Sequence, residues 1–245
     1  MPATSRKRSE SNVYHVMIRG VRRQSIYLEE SDYQRFLHYL QDFKEPQDIE
    51  VLAYCLMTNH VHLLLKGKMD NLSEFMHRLT VTYAMYFNKK YEQVGHVFQG
   101  RFKSEPVDTQ GYYNTVLRYI IRNPDKARIA KFDRYPWSSY LQLVGEKPDS
   151  LVDAETTLKL LGKKSLNRDF FLLPSEGRVL LTESDSGENA AELLEEMLCG
   201  KELSELKSMN KPERDMFLRE AKEHGIPVRL LSRLTGLSRD VISRA

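Results

Sequence analysis

The chain has 245 residues, 41% hydrophobic and 29% charged, a composition that describes a folded globular protein and excludes a disordered one. No apolar run approaches the ~18 residues of a membrane span, MPATSRKRSE has basic residues but no apolar stretch of a secretory signal, and Cys55 and Cys199 alone make neither a disulfide framework nor a zinc site. A cytoplasmic protein is expected, and its net charge of +3 is uneven: residues 1–150 hold 22 Lys and Arg against 17 Asp and Glu, residues 151–245 hold 15 against 17. A basic first part suits a polyanionic partner.

In chain order, Val13–Ile18 (VYHVMI) is β-branched and aromatic and predicts a strand. Arg19, Arg22 and Arg23 follow it. Ser31 with Gln34 has capping-box spacing, and Tyr33, Phe36, Leu37, Leu40 and Phe43 predict an amphipathic helix over 31–44. Glu50–Met57 and Val61–Leu65 predict a hairpin joined at Thr58-Asn59-His60. Asn71 and Glu74 again have capping spacing, and Leu72, Phe75, Met76, Leu79, Tyr83, Tyr86 and Phe87 predict a long helix to about Lys89. Gly95–Val107 predicts a further strand or extended segment, and Asp108 is placed to cap a helix over Gln110–Arg122 that Asn123-Pro124 ends. Strand, helix, strand, strand, helix, strand, helix is the order of an α+β domain, with helices packed on a ferredoxin-like antiparallel sheet.

Beyond Tyr135–Tyr140 (YPWSSY) the aromatics thin out, and Thr182–Asn189 (TESDSGEN) is an acidic linker. Helical spacing returns from Lys211 with Phe217, Leu218 and Ala221, and Gly225 stops that helix. A second helix is predicted over Pro227–Leu234, a turn at Thr235-Gly236, and a third helix from Arg239 capped by Ser238. The expected division is therefore a domain over 1–145, a helical connector with the acidic linker over 146–210, and an all-α helix-turn-helix-like region over 211–245. In that last region Arg233 and Arg239 are expected to meet DNA.

Two short motifs carry chemistry. His60 and His62, two apart on a strand, project to one face roughly 6.5–7 Å apart at Cα and can chelate a divalent metal. Two unrelated histidines on a half-buried strand give the same pattern. Tyr119 and Asn123, four apart, share a helix face beside the apolar positions Tyr113, Leu117, Ile120 and Ile121. Tyr119 thus need not be a core residue, and a phenol can serve as a covalent nucleophile. Of the remaining histidines, His15, His38, His77, His96 and His224, only His96 is expected to approach the site.

Five blocks in order, Tyr14–Gly20 (YHVMIRG), Ala53–Leu65 (AYCLMTNHVHLLL), Gly95–Ser104 (GHVFQGRFKS), Arg118–Ala127 (RYIIRNPDKA) and Tyr135–Tyr140 (YPWSSY), resemble the single-tyrosine HUH transposases. Within these insertion-sequence-200-like enzymes the REP-associated tyrosine transposases are the nearest group. The resemblance spans about residues 10–145 and implies that 1–145 is the catalytic domain, with the HUH nuclease fold. It implies that His60, His62 and Asn123 bind Mg2+ or Mn2+, and that Tyr119 is the nucleophile. The implied reaction is metal-dependent cleavage and rejoining of single-stranded DNA beside hairpins through a 5′-phosphotyrosine, that is, DNA transposition.

Family members often carry His-Gln where this chain has Ile121-Arg122. Arg118 and Arg122 are expected on phosphates, with Arg19, Arg22, Arg23, Arg101 and Lys103 as further DNA contacts. The resemblance implies nucleoid association and leaves homodimer and monomer open. The alternative is a domesticated relative that binds hairpin DNA or regulates without cleaving. Relaxases share the histidine pair but usually place the tyrosine ahead of it, whereas here Tyr119 follows His62 by 57 residues.

Overall fold

The computed structural model describes residues 6–147, 149–173, 179, 194, 197–198, 203–207, 209–223, 226 and 228–244. The predicted Thr182–Asn189 linker and the helix stop at Gly225 lie outside these residues. The chain falls into two compact units, Met1–Leu181 and Thr182–Ala245. No described helix is long and apolar enough to cross a membrane.

The first unit is built on strands β1 (Val13–Arg19), β2 (Glu50–Met57), β3 (His60–Lys66) and β4 (Lys103–Pro106). Their order in the sheet is β2-β3-β1-β4, and every neighbouring pair is antiparallel. Helix α1 (Glu30–Lys44) links β1 to β2, and α2 (Met69–Lys90) links β3 to β4. This is the ferredoxin-like α+β arrangement expected from the element order.

Register sorts the side chains. Arg19 lies opposite His60, Met17 opposite His62 and His15 opposite Leu64. Directly opposed residues share a face, so His15, Met17 and Arg19 stand on the histidine face. Across β4 the same face continues with Lys103 and Glu105, and across β2 with Cys55 and Met57. The alternate residues Tyr14, Val16, Ile18, Val61, Leu63 and Leu65 are buried in one core with Phe36, Leu40, Leu72, Phe75 and Leu79 of α1 and α2. Helix α3 (Gln110–Ile121) packs against β2 and β3, which brings it over the sheet near the histidines.

The helix ends depart from the sequence expectation in instructive ways. The capping box of α1 is made by Glu29 and Asp32, not by Ser31 and Gln34, because two acidic side chains reach the free N–H groups first. Helix α2 starts at Met69 and has no side-chain cap. Thr109, not Asp108, caps α3 by accepting from the Tyr112 N–H. Asp108 instead accepts from Ser9 Oγ at 2.5 Å and Ser11 N at 3.2 Å, which ties down the N-terminal arm. Helix α3 ends before Asn123 as expected, yet the chain turns at once into α4 (Asn123–Lys126). Pro124 sits in the first turn of α4, where its missing N–H costs no hydrogen bond. The extended Gly95–Val107 segment is a strand only at β4; before it, Val97 O accepts from Val21 N and Gln99 N donates to Arg19 O.

Residues 149–173, placed by composition in a connector, pack on the sheet domain. Leu151, Val152, Leu161, Phe170 and Phe171 join the main core. Asp153, at the head of α6 (Ala154–Leu161), accepts from Lys44 Nζ at 2.9 Å and from Val51 N at 2.7 Å. The short α5 (Tyr140–Leu143) precedes α6 in the chain, and α7 (Arg168–Leu172) follows it.

The second unit has its own core, with Phe217, Leu218, Ala221, Leu231 and Ile242 buried. Its helices are α8 (Lys211–Glu223), α9 (Val228–Thr235) and α10 (Arg239–Arg244). Gly236 turns the chain between the last two at φ 66, and Val241 N donates to Ser238 Oγ at 3.4 Å. The helix, turn and cap therefore follow the spacing read from the sequence.

Candidate active site

His60 and His62 do project together from β3, with ring centroids 5.1 Å apart and nearly perpendicular planes. The Tyr119 ring stands edge-on to His62 at 5.3 Å. Tyr119 is only 5% exposed. The face it occupies is closed by the histidine side of the sheet rather than by solvent, so an aromatic there is buried against imidazoles.

His15, from the neighbouring strand, was not expected to contribute. Its Nε2 lies 2.9 Å from His62 Nδ1, and its ring is 5.9 Å from that of Tyr119. A strand pattern alone places His15 and His62 on some face. Only the β1–β3 register puts them on the same one. Lys126 was also missed. It lies seven residues after Tyr119, two helical turns, and its Nζ is 4.2 Å from the Tyr119 ring centroid.

The electrostatics suit ligation by neutral imidazole. Burial pushes His15 down to about 3. Burial, and then His15, His60, Arg19 and Lys126, hold His62 well below the usual histidine range. Partial desolvation and then the adjacent Arg122 push Lys126 down to about 8, although the residue keeps access to solvent. Lys103, partly desolvated though its side chain reaches solvent, is likewise lowered, and the charge of Arg19 lowers it further.

Whether these residues fit a divalent cation can be tested on their free atoms. Asn59 Nδ2 donates to Arg23 O, which fixes the amide so that Oδ1 faces the ring. His60 Nδ1 therefore donates to Asn59 Oδ1 at 2.7 Å, which leaves its Nε2 as the lone-pair nitrogen. His62 Nε2 is buried and makes no hydrogen bond among the described residues. Asn123 is buried one turn beyond Tyr119, and its Nδ2 donates to Tyr119 O at 2.9 Å, leaving Oδ1 as the atom it can offer. Two imidazoles and an amide oxygen are donor types that a divalent cation can accept. Among the described residues there is no group of three or more His, Cys, Asp or Glu side chains placed to hold a metal.

The expected DNA contacts divide. Arg22, Arg23, Arg101 and Lys103 are exposed, and Arg19 and Arg122 are half-buried. Arg118 is buried with its guanidinium 4.9 Å from the centre of the Phe170 ring, a packing position. Ile121, at the position of the departure from the family, is fully buried in the main core. Arg233 and Arg239 are exposed in the second unit. His96 lines a cavity of about 540 Å³ with His77, Arg6, Arg101 and Phe102, and no residue of the histidine–tyrosine cluster lines it.

Comparison with known proteins agrees with this arrangement. The family model described as "Transposase IS200 like" matches residues 9–123, a span that runs from before β1 through His60, His62 and Tyr119 to Asn123. The solved structure of a REP-associated tyrosine transposase bound to a REP hairpin is similar, with a TM-score of 0.51 and 16% identity, covering 74% of this chain and 99% of that one. At that identity the likeness shows the fold. A Deinococcus radiodurans R1 protein named as a candidate transposase matches at 17% identity over 52% of this chain and 92% of its own, but its TM-score of 0.35 carries no argument. No curated protein matches. Family match, sheet topology and the order histidine pair then tyrosine converge: residues 9–123, a little under half of the chain, match the IS200-like transposase model.

Proposed function

We propose that this protein cleaves and rejoins single-stranded DNA beside hairpins, with Tyr119 as the nucleophile and His60, His62 and Asn123 as the holders of a divalent cation. The observation that carries the reading is the Tyr119 ring set edge-on against His62, itself beside His60 and beneath α3. A bare binding protein has no need to bury a phenol against a metal-competent imidazole.

The chemistry is a transesterification. The Tyr119 phenol oxygen bonds to the scissile phosphorus, and the bond from phosphorus to the 3′ oxygen breaks. The phenol proton ends on the departing 3′-hydroxyl, and a 5′-phosphotyrosine remains. A second 3′-hydroxyl reverses the step, and no nucleotide cofactor is needed because the phosphodiester energy is kept in the covalent bond. When bound, a divalent cation would polarise the phosphoryl oxygens and neutralise developing charge. The protein's own part is to hold the phenol in place through α3 packing and to keep a cation, Lys126, over its ring.

Hairpin DNA is the proposed partner. The fold neighbour was solved with a REP hairpin, and the exposed Arg22, Arg23, Arg101 and Lys103 suit backbone contacts. In the second unit, Arg233 and Arg239 flank a turn of helix-turn-helix type and are proposed to add a second DNA contact. The test is incubation with single-stranded DNA carrying hairpins from the flanks of the gene, with and without Mg2+ or Mn2+. A protein–DNA adduct that survives denaturant, requires the metal and disappears in Tyr119→Phe is the expected result. Tight hairpin binding with no adduct under either metal would establish the non-cleaving binder instead.

A further inference from the structure

His15 has no assigned role, yet it touches the centre of the candidate site. It is completely buried on β1, diagonal to His62 across the β1–β3 pair, with Nε2 2.9 Å from His62 Nδ1. The two rings are stacked, with centroids 5.1 Å apart and planes inclined by 29°. Two neutral imidazoles at that distance share a single hydrogen, and only two arrangements exist. In one, His15 Nε2 donates to His62 Nδ1, and His62 then carries its own hydrogen on Nε2, where a metal could not bind. In the other, His62 Nδ1 donates to His15 Nε2, and His62 Nε2 keeps its lone pair. The distal nitrogens, His15 Nδ1 and His62 Nε2, are both buried and make no hydrogen bond among the described residues. Nothing else within the pair decides between the two arrangements, so a cation at His62 Nε2 selects the second.

His15 is not a third ligand: its Nε2 is taken up by His62, and the three histidines do not form a group able to hold one ion. We propose that His15 is a positioning residue, which accepts the Nδ1–H of His62 and so presents His62 Nε2 to the cation in the required tautomer and ring orientation. The inference rests on the metal-dependent reading above. It follows the general rule that a ligating histidine gives its other N–H to a fixed acceptor, whose loss typically weakens metal binding ~10–100-fold. Here a second histidine fills the place more often held by a carboxylate or carbonyl.

The test uses the full chain without DNA. Mn2+ is titrated calorimetrically into the wild type, His62→Ala, His15→Leu and His15→Gln. Long-range 1H–15N spectra of histidine-labelled protein read the His62 tautomer in each. Expected are ~10–100-fold weaker Mn2+ binding in His15→Leu, partial recovery in His15→Gln, whose amide oxygen can accept, and a wild-type His62 protonated at Nδ1 when Mg2+ is bound. His15→Leu binding Mn2+ as tightly as the wild type, while His62→Ala does not, would overturn the role of His15 and leave the metal reading standing. A wild-type His62 protonated at Nε2 under saturating Mg2+ would overturn it as well. A wild type that binds no Mn2+ refutes the metal reading itself, and this inference with it. Should His15→Leu fail to fold, the wild-type spectrum and His15→Gln still decide.

Discussion

Asp32 offers a sharp test of how the helix layer is held. It is completely buried at the start of α1 and accepts from Leu28 N at 2.8 Å, Glu29 N at 3.1 Å, Tyr86 Oη at 3.0 Å, Tyr91 Oη at 2.6 Å and Lys90 Nζ at 2.6 Å. These donors tie the first turn of α1 to the last turns of α2. Burial pushes the carboxyl up, but Lys90, Tyr91 and the two N–H groups outweigh it and hold Asp32 at about 2, against an ordinary 3.8. A folded value below the unfolded one stabilises the protein above the unfolded value and loses that contribution as pH falls through the folded one. The difference corresponds to about 2 kcal/mol at pH 7, and about half of that is gone by pH 3.

Asp32→Asn removes the charge and turns an amide NH2 toward groups that already donate, so the total cost at pH 7 should be about 2–4 kcal/mol. Urea unfolding followed by the fluorescence of Trp137, the single tryptophan, gives the number. The gap between wild type and variant should be constant from about pH 7 to pH 5 and narrow by about 1 kcal/mol at pH 3. Adduct formation at 25 °C should stay within about twofold, because the site lies on the other face of the sheet. A variant within ~0.5 kcal/mol of wild type at pH 7, or a gap that does not change between pH 7 and pH 3, refutes the reasoning.

Two further outcomes follow from the site and the tail. Replacing Lys126 by Met removes the cation 4.2 Å from the Tyr119 ring; the single-turnover rate of adduct formation should drop about 10²-fold while hairpin affinity changes little. In the double variant Arg233→Ala/Arg239→Ala, binding to a hairpin flanked by duplex should weaken and the slope of log K against log salt should shrink by about 1–2, with adduct formation on a minimal single strand unchanged.

The sheet and its helices were largely legible because each depends on periodicity. The two-residue alternation of VYHVMI and HVHLLL and the 3.6-residue recurrence of Leu72, Phe75, Met76 and Leu79 survive in the structure almost residue for residue. Caps were less legible. Ser31, Asp32 and Glu29 lie within four residues and compete for the same N–H groups, and only the position of Lys90, 58 residues on from Asp32, decides the winner. The site was half legible. Spacing puts His60 with His62 on one strand and Asn123 one turn beyond Tyr119, but only the resemblance of the surrounding blocks gives these residues their proposed roles. His15 enters through a strand pairing that joins residues 47 apart, and no local pattern encodes that register. The packing of segment 149–173 was not legible for a similar reason: Asp153 meets Lys44 and Val51 only after the chain has doubled back across the sheet.

The topology also sets an order of events during synthesis. All four strands, and with them both histidines and His15, lie before residue 107. Tyr119, the proposed nucleophile, comes 13 residues after Pro106, in a helix that has nothing to pack on until β2 and β3 are paired. At ~5–20 residues per second, roughly one to three seconds separate completion of the last strand from the appearance of Tyr119. A chain cut short anywhere upstream of α3 therefore holds the histidine strand without the phenol.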